Sequence, residues 1–198
     1  MQHAKICSLI RLLSSFLFLG AMAGCGAMPP VDKSAPLNRS TGHVFGSFKL
    51  QGITGGCALR IGLALKRTGS SDEYVIEFQG GEPVAVFEVR PGRYEIAQVV
   101  FKTCEGIESG GRKEFRSVLV AGEFDVPAMT AVYIGNYEAR VGAATAPSGL
   151  GTTFTQRWRV TSACRDFDGI SNRFATDWPK LAELRKIDVT RLGPLCGP

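Results

Sequence analysis

The sequence predicts an all-β protein, an antiparallel β-sandwich of about 7–8 strands with a short C-terminal helix. Two observations carry that reading. Eight stretches of strand length alternate apolar with polar residues or run apolar, and Gly, Pro or charged turns separate them. No Gly-rich crossover helix lies between the stretches, which argues against a parallel, Rossmann-type sheet.

The strands follow in order. "HVFGSFKL" at 43–50 places Val44, Gly46, Phe48 and Leu50 on one side. "CALRIGLALKR" at 57–67 lines up Leu59, Ile61, Leu63 and Leu65, and "EYVIEFQ" at 73–79 lines up Tyr74, Ile76 and Phe78. "EPVAVFEVR" at 82–90 runs into Pro91-Gly92, and "RYEIAQVVFKTC" at 93–104 continues beyond it. "EFRSVLVAGEFDV" at 114–126 carries an Ala121-Gly122 break. "TAVYIGNYEARV" at 130–141 and "TFTQRWRVTS" at 153–162 complete the set; the last alternates Phe154, Trp158 and Val160 against Thr155, Arg157 and Arg159, a strand with one wet face.

The connections "EGIESGGRK", 105–113, and "GAATAPSGLG", 142–151, read as mobile Gly-rich loops. "CRDFDGISNRFATD", 164–177, reads as an irregular ordered loop. A helix is expected at about 177–187: Thr176 or Asp177 caps it, Pro179 suits its first turn, and Leu181, Leu184 and Ile187 recur every third residue.

The N-terminus has a different character. Lys5 and Arg11 precede an apolar run from Leu12 to Ala23, broken by Ser14, Ser15 and Gly20. A span needs about 20 apolar residues, so this run is too short to cross a bilayer and reads as a secretory signal. It ends in Met22-Ala23-Gly24-Cys25. Small side chains let the backbone lie extended in a peptidase cleft, and the thiol is a nucleophile that can accept a diacylglycerol. The tetrapeptide resembles the bacterial lipobox, with Met22 where Leu is usual. The expected organisation is a signal peptide at 1–24, a lipidated N-terminus and flexible tether at 25–41, and the β-sandwich domain at 42–198. "GAMPPVDKSAPLNRST", 26–41, rich in Pro, Ser and Ala, reads as that tether. The lipoprotein resemblance implies an exported, lipid-anchored protein. Gly26, in place of an Asp that retains such proteins at the inner membrane of enteric bacteria, leans toward the outer membrane facing the periplasm.

Removing Lys5 and Arg11 with the leader leaves 21 basic against 18 acidic side chains, a charge of +3. The basic residues are scattered, with no dense Lys/Arg run, so nucleic acid is not an expected partner. Of six cysteines, Cys7 leaves with the leader and Cys25 is the lipid acceptor. Cys57, Cys104, Cys164 and Cys196 remain, an even number in an oxidising compartment, and read as two disulfides. Four cysteines allow three pairings; Cys57–Cys104 and Cys164–Cys196 are favoured because each stays within one half of the domain. No Cys-x-x-Cys or Cys/His spacing supports zinc.

"VFEVRPGRYEIAQVVF", 86–101, is similar to the strand, Pro-Gly, Tyr-strand hairpin of transthyretin-like and carboxypeptidase-regulatory-like sandwich modules. Pro91 presets the turn, Gly92 supplies conformational freedom and Tyr94 re-enters the core. "VPAMTAVYIGNYEARV", 126–141, resembles the closing strands of small bacterial lipoproteins with prealbumin-like domains, with Met129 where Gly is common. The resemblance implies a fold and no catalysis.

Residues with chemistry are few. His43, the single histidine of the mature chain, sits beside the tether and reads as a surface or strand-edge residue rather than a catalytic base. Glu73, Glu77, Glu88, Glu95, Asp166 and Asp168 could hold an acid–base pair, but solvent-facing strand carboxylates are commoner. Asp166-Phe167-Asp168-Gly169 has a faint calcium-loop look without the distal Glu. Tyr133, Tyr137, Phe154, Trp158, Phe167, Phe174 and Trp178 read mainly as core, with Trp178 the one expected at the surface. The expected function is non-enzymatic: a membrane-anchored envelope protein that binds or scaffolds, with membrane lipid as its partner, an envelope protein as a possible second one, and no cofactor or metal. The alternatives are a periplasmic module binding a peptide, glycan or protein and, less favoured, a carboxylate-dependent hydrolase.

Overall fold

The computed structural model describes residues 27–52, 60–78, 84–102, 112–115, 122–148, 151–190 and 194–196. Among them the chain forms eleven strands, one α-helix and one 3-10 turn. In chain order these are β1 (Ala27–Met28), β2 (Gly42–Gly52), β3 (Arg60–Arg67), β4 (Glu73–Phe78), β5 (Ala85–Val89), β6 (Gly92–Lys102), β7 (Arg112–Phe115), β8 (Glu123–Val126), β9 (Thr130–Ser148), β10 (Gly151–Cys164), α1 (Phe167–Asp177), the 3-10 turn Pro179–Leu181, and β11 (Arg185–Asp188). They make two sheets. The first runs β1-β4-β3-β6-β7, with β8 also on β6; the second runs β10-β9-β2-β5, with β11 also on β9.

The alternation read from the sequence decides which side chains meet. Leu63 and Leu65 of β3, Ile76 and Phe78 of β4, and Tyr94, Ile96 and Val99 of β6 join Val44 and Phe48 of β2, Phe87 and Val89 of β5, and Val132, Ile134 and Tyr137 of β9 in one apolar cluster. Both sheets contribute to it. Each such side chain, fully buried, stabilises the fold by about 1.5–3 kcal/mol relative to an exposed one.

The second sheet is buried on its other face as well. Phe45, Val86, Ala131 and Tyr133 form a separate cluster with Ile170 and Phe174 of α1 and with Trp178, Leu181 and Leu184. Phe45 lies 4.9 Å from Phe174 and 5.6 Å from Tyr133, ring centre to ring centre. Burial on two faces explains why "AVYI" and "VAVF" run apolar instead of alternating.

The sheets are mixed, not purely antiparallel. β2 pairs with β9 in parallel, as do β11 with β9 and β1 with β4. Alternation marks a half-buried strand but carries no direction, so the pattern could not show this. The strand set also differs. β1 and β11 are too short to leave a period, and the 114–126 stretch divides into β7 and β8, with 116–121 outside the described residues.

Of the 142–151 stretch, residues 142–148 and 151 are strand and not loop. They extend β9 and β10, paired from Gly142↔Arg157 to Ser148↔Gly151. A continuous partner strand supplies the backbone hydrogen bonds that Gly and Ala side chains do not encourage. Of the other expected loop, 105–111 lies outside the described residues and Arg112 opens β7.

The helix lies ten residues earlier than expected. Asp166 caps it, its side chain accepting from the Gly169 N–H at 3.1 Å, and it ends at Asp177, before Pro179. Asp166 is therefore a cap and not part of a calcium loop. The three-residue spacing of Leu181 and Leu184 belongs to the 3-10 turn and the bend after it, whose period is three. Ile187 belongs to β11.

The Pro91-Gly92 turn does not close the expected hairpin: it carries the chain from β5 in the second sheet to β6 in the first, where β6 pairs with β3, β7 and β8 and β5 with β2. Tyr94 is fully buried and donates its hydroxyl to the Arg90 carbonyl at 2.6 Å. The Arg67 guanidinium passes over Gly92 and donates to the Pro91 carbonyl at 2.9 Å, where a Cβ on residue 92 would collide with it. Met129, at the turn into β9, holds the left-handed conformation with φ 56°.

Candidate functional site

The stretch expected to be a loose tether is, from Ala27 onward, part of the fold. Ala27 and Met28 pair with Val75 and Ile76 of β4. Val31 then donates its N–H to the Val86 carbonyl of β5 at 2.7 Å, so this N-terminal strap reaches the edge strands of both sheets. Its polar residues are used in short turns: the Asp32 carboxylate accepts from the Ser34 N–H at 2.7 Å and hydroxyl at 2.6 Å, and Asn38 accepts from the Ser40 N–H at 3.1 Å. The Ser34 bonds hold the Asp32 carboxyl below its usual range.

The strap is clamped by the segment after α1. Trp178 donates its indole N–H to the Val31 carbonyl at 3.0 Å, and Lys180 donates to the Ser34 carbonyl at 2.7 Å. Lys33 lies 3.5 Å from the Asp177 carboxylate and 5.6 Å from the centre of the Trp178 ring. Val31 and Leu37 pack against the helix-side cluster. Trp178, expected at the surface, is 3% exposed, because the strap covers it.

Between strap and sheet lies an open groove of about 380 Å³, bordered by Pro29, Pro30, Val31, Lys33, Val84 and Trp178. Its walls are mainly apolar, with Asp32 and Lys33 as the charged groups. It offers a flat ring, two prolines and one cation, which suits contact and not bond chemistry.

His43 is not at the surface. It lies in β2, opposite Glu88 of β5 and beside Ala131 of β9, 1% exposed. Among the described residues its Nδ1 has no hydrogen-bond partner. Burial holds its imidazole below the usual range, with Glu88 pulling the other way. Glu88 itself accepts from the Asn38 amide at 2.8 Å. The sequence placed His43 beside a tether; it is buried because that tether folds back and continues into β2.

The C-terminal cysteines meet as expected: Cys164 and Cys196 form a disulfide, with Cα atoms 4.9 Å apart. It fastens the chain end beside Arg165, whose N–H donates to Pro194 at 2.7 Å and whose carbonyl accepts from Cys196 at 3.0 Å. Arg165 also pairs with Asp188 at 2.5 Å. Burial pushes the Asp188 carboxyl up, but two bonds from Thr190 and the Arg165 guanidinium outweigh it and hold the group below its usual range. Tyr133, whose hydroxyl accepts from the Asp166 N–H at 3.0 Å, is pushed up to about 12 by burial.

Cys25, Cys57 and Cys104 lie outside the described residues, and the side chains of Phe154 and Trp158 do too. Among the described residues no group of three His, Cys, Asp or Glu side chains could hold a metal ion, and no helix is long and apolar enough to cross a membrane. Sequence reasoning missed the strap and its clamp. Val31 and Leu37, two apolar residues in a Pro- and Ser-rich stretch, were the available signal.

No family model and no curated protein matches the chain. Among solved structures it is similar to a leucine-rich repeat protein from Bacteroides thetaiotaomicron VPI-5482, at 16% identity and a TM-score of 0.29, over 49% of this chain and 13% of that one. A likeness of that size assigns neither fold family nor function.

Proposed function

We propose that the protein is a lipid-anchored lipoprotein of the bacterial cell envelope, acylated on the Cys25 thiol, with a binding or scaffolding role and no catalysis of its own. Its two sheets pack as a β-sandwich, and it sits on the outer membrane, facing the periplasm. The observation that carries this is Met22-Ala23-Gly24-Cys25 at the end of a basic-then-apolar leader. Support comes from the Cys164–Cys196 disulfide, which suits an oxidising compartment. A diacylglycerol supplies two chains at about 0.8 kcal/mol per buried CH₂, enough for firm anchoring. Metabolic labelling with palmitate tests it: wild type takes up label and Cys25→Ser does not, whereas equal labelling of the two overturns the anchor.

A second reading, a periplasmic module for a peptide, glycan or protein, draws on the groove beside Trp178. Crosslinked capture from intact envelopes would favour it if a specific partner is lost when Pro30→Trp fills that groove.

A further inference from the structure

The lipoprotein reading leaves open how the body lies relative to the bilayer, and the strap restricts it. Only Gly26 separates Cys25 from Ala27. Consecutive Cα atoms are about 3.8 Å apart, so the Cys25 Cα lies within about 7.6 Å of the Ala27 Cα in any conformation. Its sulfur, and the lipid glycerol on it, add a few bonds. Ala27 is itself paired with Val75, two residues into β4. No leash of tether length exists between lipid and fold.

The direction of β1 selects which end of the body this is. β1 runs parallel to β4, so its Ala27 end faces the Glu73 end of β4. That end carries the turn at 68–72, where β3 passes into β4. The 90–92 turn between β5 and β6 packs against it: Thr68 donates its N–H to the Arg93 carbonyl at 2.8 Å, and Arg67 donates to Pro91 at 2.9 Å. Arg67 and Arg90 share the single Asp72 carboxylate, at 3.4 and 3.6 Å, and the Arg90 side chain is 71% exposed. A guanidinium held that loosely can turn to a lipid phosphate. The opposite end is remote. β2 and β9 both start near this tip, Gly42 opposite Val89, and run away from it, β9 for 19 residues to Ser148. At about 3.3 Å per residue, Ser148 is several nanometres farther from the lipid.

We infer that the 68–72 and 90–92 turns form the membrane-facing tip of the protein, resting on phospholipid headgroups, with the β9–β10 hairpin pointing into the periplasm. This rests on acylation of Cys25, and the test separates the two. The acylated full-length protein, carrying Thr68→Cys or Ser148→Cys, is labelled with a small fluorophore and reconstituted into vesicles containing headgroup-nitroxide phosphatidylcholine. Background labelling of the wild type is subtracted, and mass spectrometry reports the acyl chains on Cys25. We expect quenching at position 68 at least threefold stronger than at 148, and a fall to the level of 148 when a twelve-residue Gly-Ser spacer is inserted between Gly26 and Ala27. Acylated protein quenched equally at both positions overturns the inference, as does quenching at 68 that survives the spacer. Protein without acyl chains overturns the lipoprotein reading instead.

Discussion

Trp178 donates its indole N–H to the Val31 carbonyl, 3.0 Å away, across 147 positions of sequence. The bond ties the N-terminal strap to the segment behind α1, and the same ring stacks on Phe174 at 6.0 Å. One side chain therefore holds both the strap and part of the helix-side cluster. Trp178→Phe keeps an aromatic ring and loses the donor, so it should cost about 1 kcal/mol. Trp178→Ala should cost about 3–5 kcal/mol, for the lost ring and the cavity it leaves. Urea denaturation gives both values, and hydrogen exchange at Val31 should rise in both variants. Unchanged exchange would mean that the bond does not hold the strap.

Gly46 and Gly135 face each other where the β2–β9 ladder slips, between Phe45 and Ser47. A Cβ on Gly46 would stand 2.6 Å from the Gly135 carbonyl oxygen and 3.1 Å from Ile134 Cγ1. Gly135 has φ 115° and the Tyr137 ring 3.2 Å from where a Cβ would be. Backbone atoms cannot step aside as a flexible side chain does. Gly46→Ala should therefore cost about 2–3 kcal/mol, with Gly135→Ala also destabilising by about 1–2 kcal/mol through its dihedral. Gly122→Ala, where nothing lies within 4 Å, is the control and should change stability by less than about 0.5 kcal/mol. Thermal melts of the three variants check the order.

The Cys164–Cys196 bridge closes a separation of 32 residues that contains α1, the 3-10 turn and β11. Constraint of the unfolded chain over a loop of that length stabilises by about 3–4 kcal/mol. Cys196→Ser should lower stability by roughly that amount. It should also free the bridge between Arg165 and Leu195, which exchange would report as loss of protection at the Arg165 N–H. A loss below about 1 kcal/mol would show that Arg165 and Asp188 hold this end without the disulfide.

The sequence was most legible where side chains alternate. Leu63 and Leu65, and Ile76 and Phe78, stand in the shared core on the faces their spacing assigned them. Tyr94 enters the core as read, although the strands on either side of Pro91-Gly92 join different sheets and form no hairpin. Strand direction was not legible, because Val44↔Val132 in a parallel ladder looks the same in sequence as an antiparallel pair. Segments without a period were misread. Residues 142–148 are strand because β10 lies beside them, a property of the partner and not of Gly and Ala. The strap was misread for a related reason. Pro29 and Pro30 give an extended chain with no fold of their own, and its hold comes from Val86, Trp178 and Lys180, all distant in sequence. His43 and Trp178 were assigned to the surface because they flank such segments.

Two buried groups give the stability a defined dependence on acid. The His43 imidazole is held below its ordinary value of 6.5 by burial, so the folded state binds its proton more weakly than the unfolded chain does. Its contribution is complete above about pH 6.5 and is lost progressively as the pH falls below it. Asp188 is also held below its ordinary value, 3.8, because the bonds from Thr190 and Arg165 outweigh the burial that opposes them. Its contribution is present above that value and is lost as the pH falls through the lowered one. The two losses have the same sign and set in at different pH. Denaturation midpoints should begin to decline as the pH falls below about 6.5, and decline further once it falls below about 3.8. His43→Gln, neutral throughout, should flatten the first decline and leave the second. Asp188→Asn should flatten the second and lower stability at neutral pH, since Arg165 then loses its charged partner. A first decline that persists in His43→Gln would assign it to another group and remove His43 from the account.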